Sequence, residues 1–145
     1  MKRTIINPDV ISKVITVSPD ISLAHATDLM IKSGTSCVVA VDGGKPAGII
    51  TERDVVRFLF QGIPISTTKV RETMSSPVAT AKSDIDIYEA YHITETNNIR
   101  HIVITDKSGG ISGVVTQSDI IKNLGLDFSE IRKVSVVMTK GLVMV

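Results

Sequence analysis

Two places in this 145-residue chain carry residue types at a spacing that can do chemistry: Thr51 with Asp54, and Thr116 with Asp119. In each, a threonine precedes an aspartate by three positions. An ionised aspartate is acceptor-only and can take hydrogen bonds from two neighbouring hydroxyls, as a ribose offers. If the threonine begins a helix, the aspartate falls in its first turn. Free backbone N–H groups and the helix field favour an anion there. The same spacing also has a purely structural use. Threonine at the N-cap with an acidic residue at N3 is a capping box, and the helix dipole favours an early aspartate with no ligand present. Spacing alone leaves both uses open.

The elements that must position these residues are legible as an internal repeat. A shift of 64 residues lays Val14 on Val78, Thr16 on Thr80, Asp20 on Asp84, Ala26 on Ala90 and Val39 on Val103. One extra residue in a turn makes the shift 65, and Gly48 then falls on Gly113, Thr51 on Thr116 and Asp54 on Asp119. Each half reads β-α-β-β-α. Short β-rich pieces are expected at 14–17 and 78–81, and helices at 22–33 and 86–97, where apolar residues recur every three or four positions. Gly34 and Asn98 stand where left-handed helix caps are wanted. Hairpins follow at 37–41 with 47–51 and at 101–105 with 111–116, turning at Asp- and Gly-containing segments. Their Val, Ile and Ala content requires cover on both faces. Closing helices are expected at 52–60 and 117–124, ending near Gly62 and Gly125. One such unit would bury a marginal core by itself. The expected fold is therefore α+β: two β-α-β-β-α motifs with mixed sheets, packed as a pseudo-two-fold pair with two inter-motif clefts.

Other chemistry finds little support. Gly43-Gly44-Lys45 lacks the G-x-x-x-x-G-K spacing of a phosphate loop and reads as a hairpin turn. His25 and His92 have no metal-ligand companion at i+4. Cys37 reads as a small buried strand residue, and no nucleophile–base pair stands out. Arg53 reads first as a solvated helix-face charge, with a ligand phosphate or a pairing with neighbours on the Glu52 side across a dimer as its other uses. No metal, cofactor or enzymatic activity is expected. A net charge of +1 and 3% aromatic residues argue against nucleic acid. No apolar run approaches the ~18 residues of a membrane span, the N-terminus lacks the apolar stretch of a signal peptide, and one cysteine cannot form an internal disulfide. A cytoplasmic location is the expectation.

The strand-to-helix runs Gly48-Ile49-Ile50-Thr51-Glu52-Arg53-Asp54 and Gly113-Val114-Val115-Thr116-Gln117-Ser118-Asp119 resemble the signature of the CBS family: glycine, two apolar residues, threonine or serine, two variable residues, aspartate. The run from Val70 to Val78 is similar to the family's usual lead-in to a motif. The resemblance spans nearly the whole chain, as one CBS-pair module over 1–145 with motifs at 7–62 and 70–125. It implies an adenosine-type ligand (AMP, ADP or ATP, with S-adenosylmethionine as the alternative), a regulatory role through a protein effector, and a homodimer. It also implies that each cleft combines the T-x-x-D of one motif with the first strands of the other. Site A would then use Thr51, Asp54, Val78, Ala79, Thr80, Arg100 and His101. Site B would use Val14, Ile15, Thr16, Ser36, Cys37, Thr116 and Asp119. Arginine clamps a phosphate bidentately where Ser36 and Cys37 offer weak donors. Site A is therefore expected to be the main phosphorylated-nucleotide site, and site B weaker or empty. A pure dimer scaffold with vacant clefts is the rival reading.

The 64-residue register continues past the second copy, with Ile6, Val70 and Val134 aligned, then Val10, Met74 and Met138. The tail at 134–145 thus resembles the start of a third motif that does not arrive.

Overall fold

The computed structural model describes residues 11–123; the tail at 134–145 and Gly125 lie outside them. The first repeat runs β1 (Ile15–Val17), α1 (Leu23–Ser33), β2 (Cys37–Asp42), β3 (Lys45–Thr51) and α2 (Glu52–Phe60). A short α3 (Val70–Thr73) leads into β4 (Thr80–Lys82), α4 (Ile87–Asn97), β5 (His101–Thr105), β6 (Ile111–Thr116) and α5 (Gln117–Asn123). Each repeat builds one three-stranded mixed sheet, β1-β2-β3 or β4-β5-β6, with a parallel first pair and an antiparallel hairpin. The expected α+β pair of β-α-β-β-α units is the fold of the chain.

Local chemistry sets the helix ends. The Ser22 and Asp86 side chains accept from the His25 and Tyr88 backbone N–H groups at the starts of α1 and α4. Gly34 (φ 66°) and Asn98 (φ 51°) close the same helices in the left-handed region, where these two residue types are tolerated best.

Strand alternation divides the burial. In the first repeat Val38, Ala40 and Ile50 pack against Leu23, Ala26 and Met30 of α1 and Val55 and Phe58 of α2. In the second, Ile102, Ile104 and Val115 pack with Ile87, Ala90 and Ile120. Cys37, Val39, Val103 and Val114 alternate to the other sheet face and are buried as well, so both faces are covered.

The repeats exchange lead-in segments. Ser75, after α3, forms a two-bond bridge with Ile49 of β3 (3.0 Å each way). Ser12 forms the equivalent bridge with Val114 of β6 (2.9 and 3.0 Å). The glycines of the two signature runs stand beneath these crossings: a Cβ on Gly48 would run into the Met74 side chain, and one on Gly113 into Ile11 and the Ser12 carbonyl. Ile11 and Ser12 therefore do what Met74 and Ser75 do, one residue out of the 64-residue register. The alignment of Val10 with Met74 does not describe the packing. The second lead-in has one more residue before its strand, at a cis Ser76–Pro77 peptide. The first strand of the second repeat begins at Thr80, inside the expected 78–81, and keeps the 64-residue register, with Thr80 on Val103 as Thr16 is on Val39. The helical turn of α3 was also not anticipated. Arg71 on it grips Asp20 (3.1 and 3.3 Å) and Asp42 (3.1 Å), fastening the linker to the first repeat. The Arg71 guanidinium holds the Asp20 carboxyl below its ordinary range.

Candidate functional site

An open cleft of about 750 Å³ lies where the first repeat's strand-to-helix turn faces the second repeat's lead-in. One wall carries Ile49, Thr51, Glu52, Arg53, Asp54 and Arg57 from β3 and α2. The facing wall carries Ser75, Pro77, Val78 and Ala79 from the lead-in, and Asn98, Ile99, Arg100 and His101 from the α4–β5 turn. Six of the seven residues assigned to site A from sequence are brought together here. Thr80 is not among the lining residues: it is exposed on β4, in register with Val103. Ser36, assigned to site B, lines this cleft instead.

Thr51 and Asp54 form a full capping box. The Thr51 N–H donates to Asp54 Oδ2 (2.9 Å), and the Asp54 N–H donates to Thr51 Oγ1 (3.2 Å). Asp54 Oδ1 faces Arg57 Nη2 at 3.1 Å. The structural use of the pair is therefore present, and the carboxylate still lines the cleft. Arg53 and Arg100 are exposed on opposite walls with no ion-pair partner among the described residues. Three guanidinium groups against the two carboxylates of Glu52 and Asp54 leave the lining positive.

Site B is built differently. The Thr116 N–H and hydroxyl both donate to Asp119 Oδ2 (2.8 and 3.0 Å), and the Ser12 hydroxyl approaches the same carboxylate at 3.4–3.5 Å. Asp119 is only 5% exposed. Cys37 is fully buried, and burial pushes its thiol up to about 11. Val14 and Ile15 are half-buried and Thr16 is exposed on β1. A crossing lead-in thus seals Asp119, whereas Asp54 stays accessible. Sequence reasoning missed Ile49, Glu52, Arg57, Ser75, Pro77, Asn98 and Ile99 as lining residues. Arg57 was within reach, since a residue three past Asp54 shares its helix face.

His101 starts β5 in register with Thr116 while its side chain lines the cleft. Burial lowers its pKa below the ordinary 6.5, opposed by the Asp54 and Asp119 carboxylates and reinforced by Arg100. The folded protein therefore takes up this proton less readily than the unfolded chain. The contribution of His101 to stability is complete above pH 6.5. It is lost as pH falls from there toward the lower folded value, because the unfolded chain takes up the proton first. Thermal melts of H101N should lose that part of the acid-side slope; an identical slope in both proteins would refute the assignment.

A family model described as CBS domain matches residues 5–61 and 70–126. The chain belongs to the CBS-domain family. The CBS domain pair of protein MJ0100, solved in complex with 5'-methylthioadenosine and S-adenosyl-L-methionine, is 29% identical with a TM-score of 0.71, covering 86% of this chain and 98% of that one. The CBS-domain containing protein ATU1752 from Agrobacterium tumefaciens is 26% identical with a TM-score of 0.63, over 77% and 88% of the two chains. An inosine-5'-monophosphate dehydrogenase from Methanocaldococcus jannaschii is 36% identical over 114 residues, 78% of this CBS pair but 22% of the dehydrogenase. The uncharacterised protein MK0525 from Methanopyrus kandleri is 36% identical over 111 residues, 75% of this chain and 57% of that one. The chain thus spans about a fifth of the dehydrogenase's length and little over half of MK0525's. Among the described residues no cluster of His, Cys, Asp and Glu could hold a metal ion, and no helix is long and apolar enough to cross a membrane.

Proposed function

We propose that this CBS pair is a non-catalytic regulatory module that binds an adenosine nucleotide (AMP, ADP or ATP) in the cleft lined by Thr51, Asp54, Val78, Ala79, Arg100 and His101. The observation that carries the reading is the composition of the two walls. One offers an accessible carboxylate at a helix start, suited to a ribose diol, and the other offers Arg100 and His101, suited to a phosphate. Ile49, Val78 and Ile99 supply apolar surface for the adenine. The adenosine ligands of the MJ0100 pair support the class. They also favour a second reading, S-adenosylmethionine, which the positive lining opposes because the sulfonium is itself a cation. Site B is the weaker site on this reading, since Asp119 is buried and bonded by Ser12 and Thr116.

Calorimetric titration of AMP, ADP, ATP and S-adenosylmethionine tests the proposal. An AMP Kd of roughly 1–100 µM is expected. The double variant R100A/H101A should weaken AMP by about 10- to 100-fold, the loss of one or two charge-assisted contacts. Unchanged AMP affinity would remove both residues from the phosphate site. Absence of binding to every ligand would leave a ligand-free scaffold as the better reading.

The output requires a second surface. Ile31 on α1, Val56, Leu59 and Phe60 on α2, and Tyr88 and Tyr91 on α4 are large exposed apolar residues, with Phe60 at 88% exposure. These faces fit a homodimer that presents the cleft state to a protein effector. F60E should shift sedimentation toward monomer with at least ~10-fold weaker association, the scale of one buried aromatic side chain. A dimer insensitive to this change would place the interface elsewhere.

A further inference from the structure

We infer that the Asp54–Arg57 ion pair sets the charge class of ligand that the cleft accepts, an inference that rests on the adenosine-nucleotide reading above. The argument starts from how the Asp54 carboxylate is divided. Oδ2 takes the Thr51 backbone N–H at 2.9 Å, which closes the helix cap. Oδ1 lies 3.1 Å from Arg57 Nη2. Arg57 is therefore a counter-charge on the very carboxylate that the ribose would use, and it lines the same cleft.

The counterpart in the second repeat shows that a cap of this kind does not need such a partner. Asp119 accepts from the Thr116 N–H and hydroxyl, and Ser12 approaches it. Lys122 occupies the equivalent of Arg57, and no ion pair joins it to Asp119 among the described residues. The Arg57 contact is thus particular to the open cleft and is not part of the cap.

Its consequence is electrostatic. With Arg57 neutralising Asp54, the uncompensated groups on the walls are Arg53, Arg100 and Glu52. The field at the mouth is positive and favours a phosphate. Without Arg57, the Asp54 charge cancels that excess. A ligand carrying a sulfonium and an ammonium would then meet a carboxylate without its counter-charge in place of an ion pair. The pair is half exposed on the Arg57 side, so solvent screens it and the expected effect is moderate. Arg57 works through Asp54 and through the field, so it discriminates between ligands and leaves the cap and the fold in place.

The test compares AMP, adenosine and S-adenosylmethionine on the wild-type chain, R57Q and R57K by calorimetry, with melting curves to verify folding. R57Q should weaken AMP by roughly fivefold to tenfold, leave adenosine within about twofold, and tighten S-adenosylmethionine. R57K, which restores the charge, should recover most of the AMP affinity. The AMP difference between wild type and R57Q should shrink as salt is raised. If AMP and adenosine weaken together in R57Q, Arg57 merely orients Asp54 and the inference fails. An unchanged ratio of AMP to adenosine affinity also overturns it. The nucleotide reading fails on a separate result, a wild-type protein that binds neither AMP nor adenosine, and that result would take this inference with it.

Discussion

On the nucleotide reading proposed above, D54A should abolish AMP binding at micromolar ligand, a loss of at least ~30-fold for the two charge-assisted ribose hydrogen bonds, while D119A should leave AMP affinity within about twofold. Stability moves the other way. Asp54 lies on the cleft wall with only its cap contacts and a half-exposed arginine to lose, so D54A lowers stability by about 1 kcal/mol, the ordinary cost of a helix cap. Asp119 is 5% exposed and takes two donors from Thr116, with Ser12 nearby. Removing it strands those donors in a buried place and costs about 2–3 kcal/mol. Calorimetry and thermal melts on the two variants read both effects at once. D54N is the control, because its side-chain oxygen can still accept the Thr51 N–H. Binding lost in D119A and retained in D54A would reverse the assignment of the two sites.

G113A should lower the melting temperature by about 10 °C, a loss of about 3 kcal/mol for a chain of this length, and G48A should lower it by about half as much. Neither glycine is required for its backbone angles; each is required because a lead-in crosses directly over it. The Cβ of an alanine at Gly113 would lie 2.7 Å from the Ser12 carbonyl oxygen and 2.5 Å from Ile11 Cγ2. Ser12, whose carbonyl accepts from the Val114 N–H and whose N–H donates to the Val114 carbonyl, cannot swing away. The segment must lift, losing that bridge and the Ser12 approach to Asp119. At Gly48 the obstructing atoms all belong to the Met74 side chain. An unbranched thioether can change rotamer, so the overpacking is partly relieved. Equal melting temperatures for the two variants would show that the lead-in over Gly113 is not fixed in place.

These expectations differ in how visible they were beforehand. The glycines were legible as members of a repeated signature, but the reason for them was not. A Gly-x-x-Thr spacing shows that two strands end alike; it does not show that another segment passes over each. The same limit appears in the lead-ins. Local alignment pairs Val10 with Met74, yet Ile11 packs on Gly113 as Met74 packs on Gly48, because one added residue before β4 is absorbed in a bend. Thr80 belongs to the set that the family resemblance implies for site A, but it is exposed on β4, and the wall is made by Pro77, Val78 and Ala79 just before the strand.

What the sequence by itself determined is the content that local periodicity and capping chemistry encode. The duplicated β-α-β-β-α order, the helix starts at Ser22 and Asp86, the left-handed stops at Gly34 and Asn98, and the Thr–Asp caps all follow from residues within a few positions of one another. The make-up expected for site A rests on the resemblance to the CBS family, in which each cleft joins the T-x-x-D of one motif to the first strands of the other. Only the tertiary structure decided what those segments contain when they meet. It set Arg57 against Asp54, brought Ser36, Ser75 and Asn98 to the wall, and drew Ser12 toward Asp119 while leaving Asp54 open. The physical reason is that caps and strands are settled by neighbours in sequence. The exposure and charge of a carboxylate are settled by whichever distant segment crosses it.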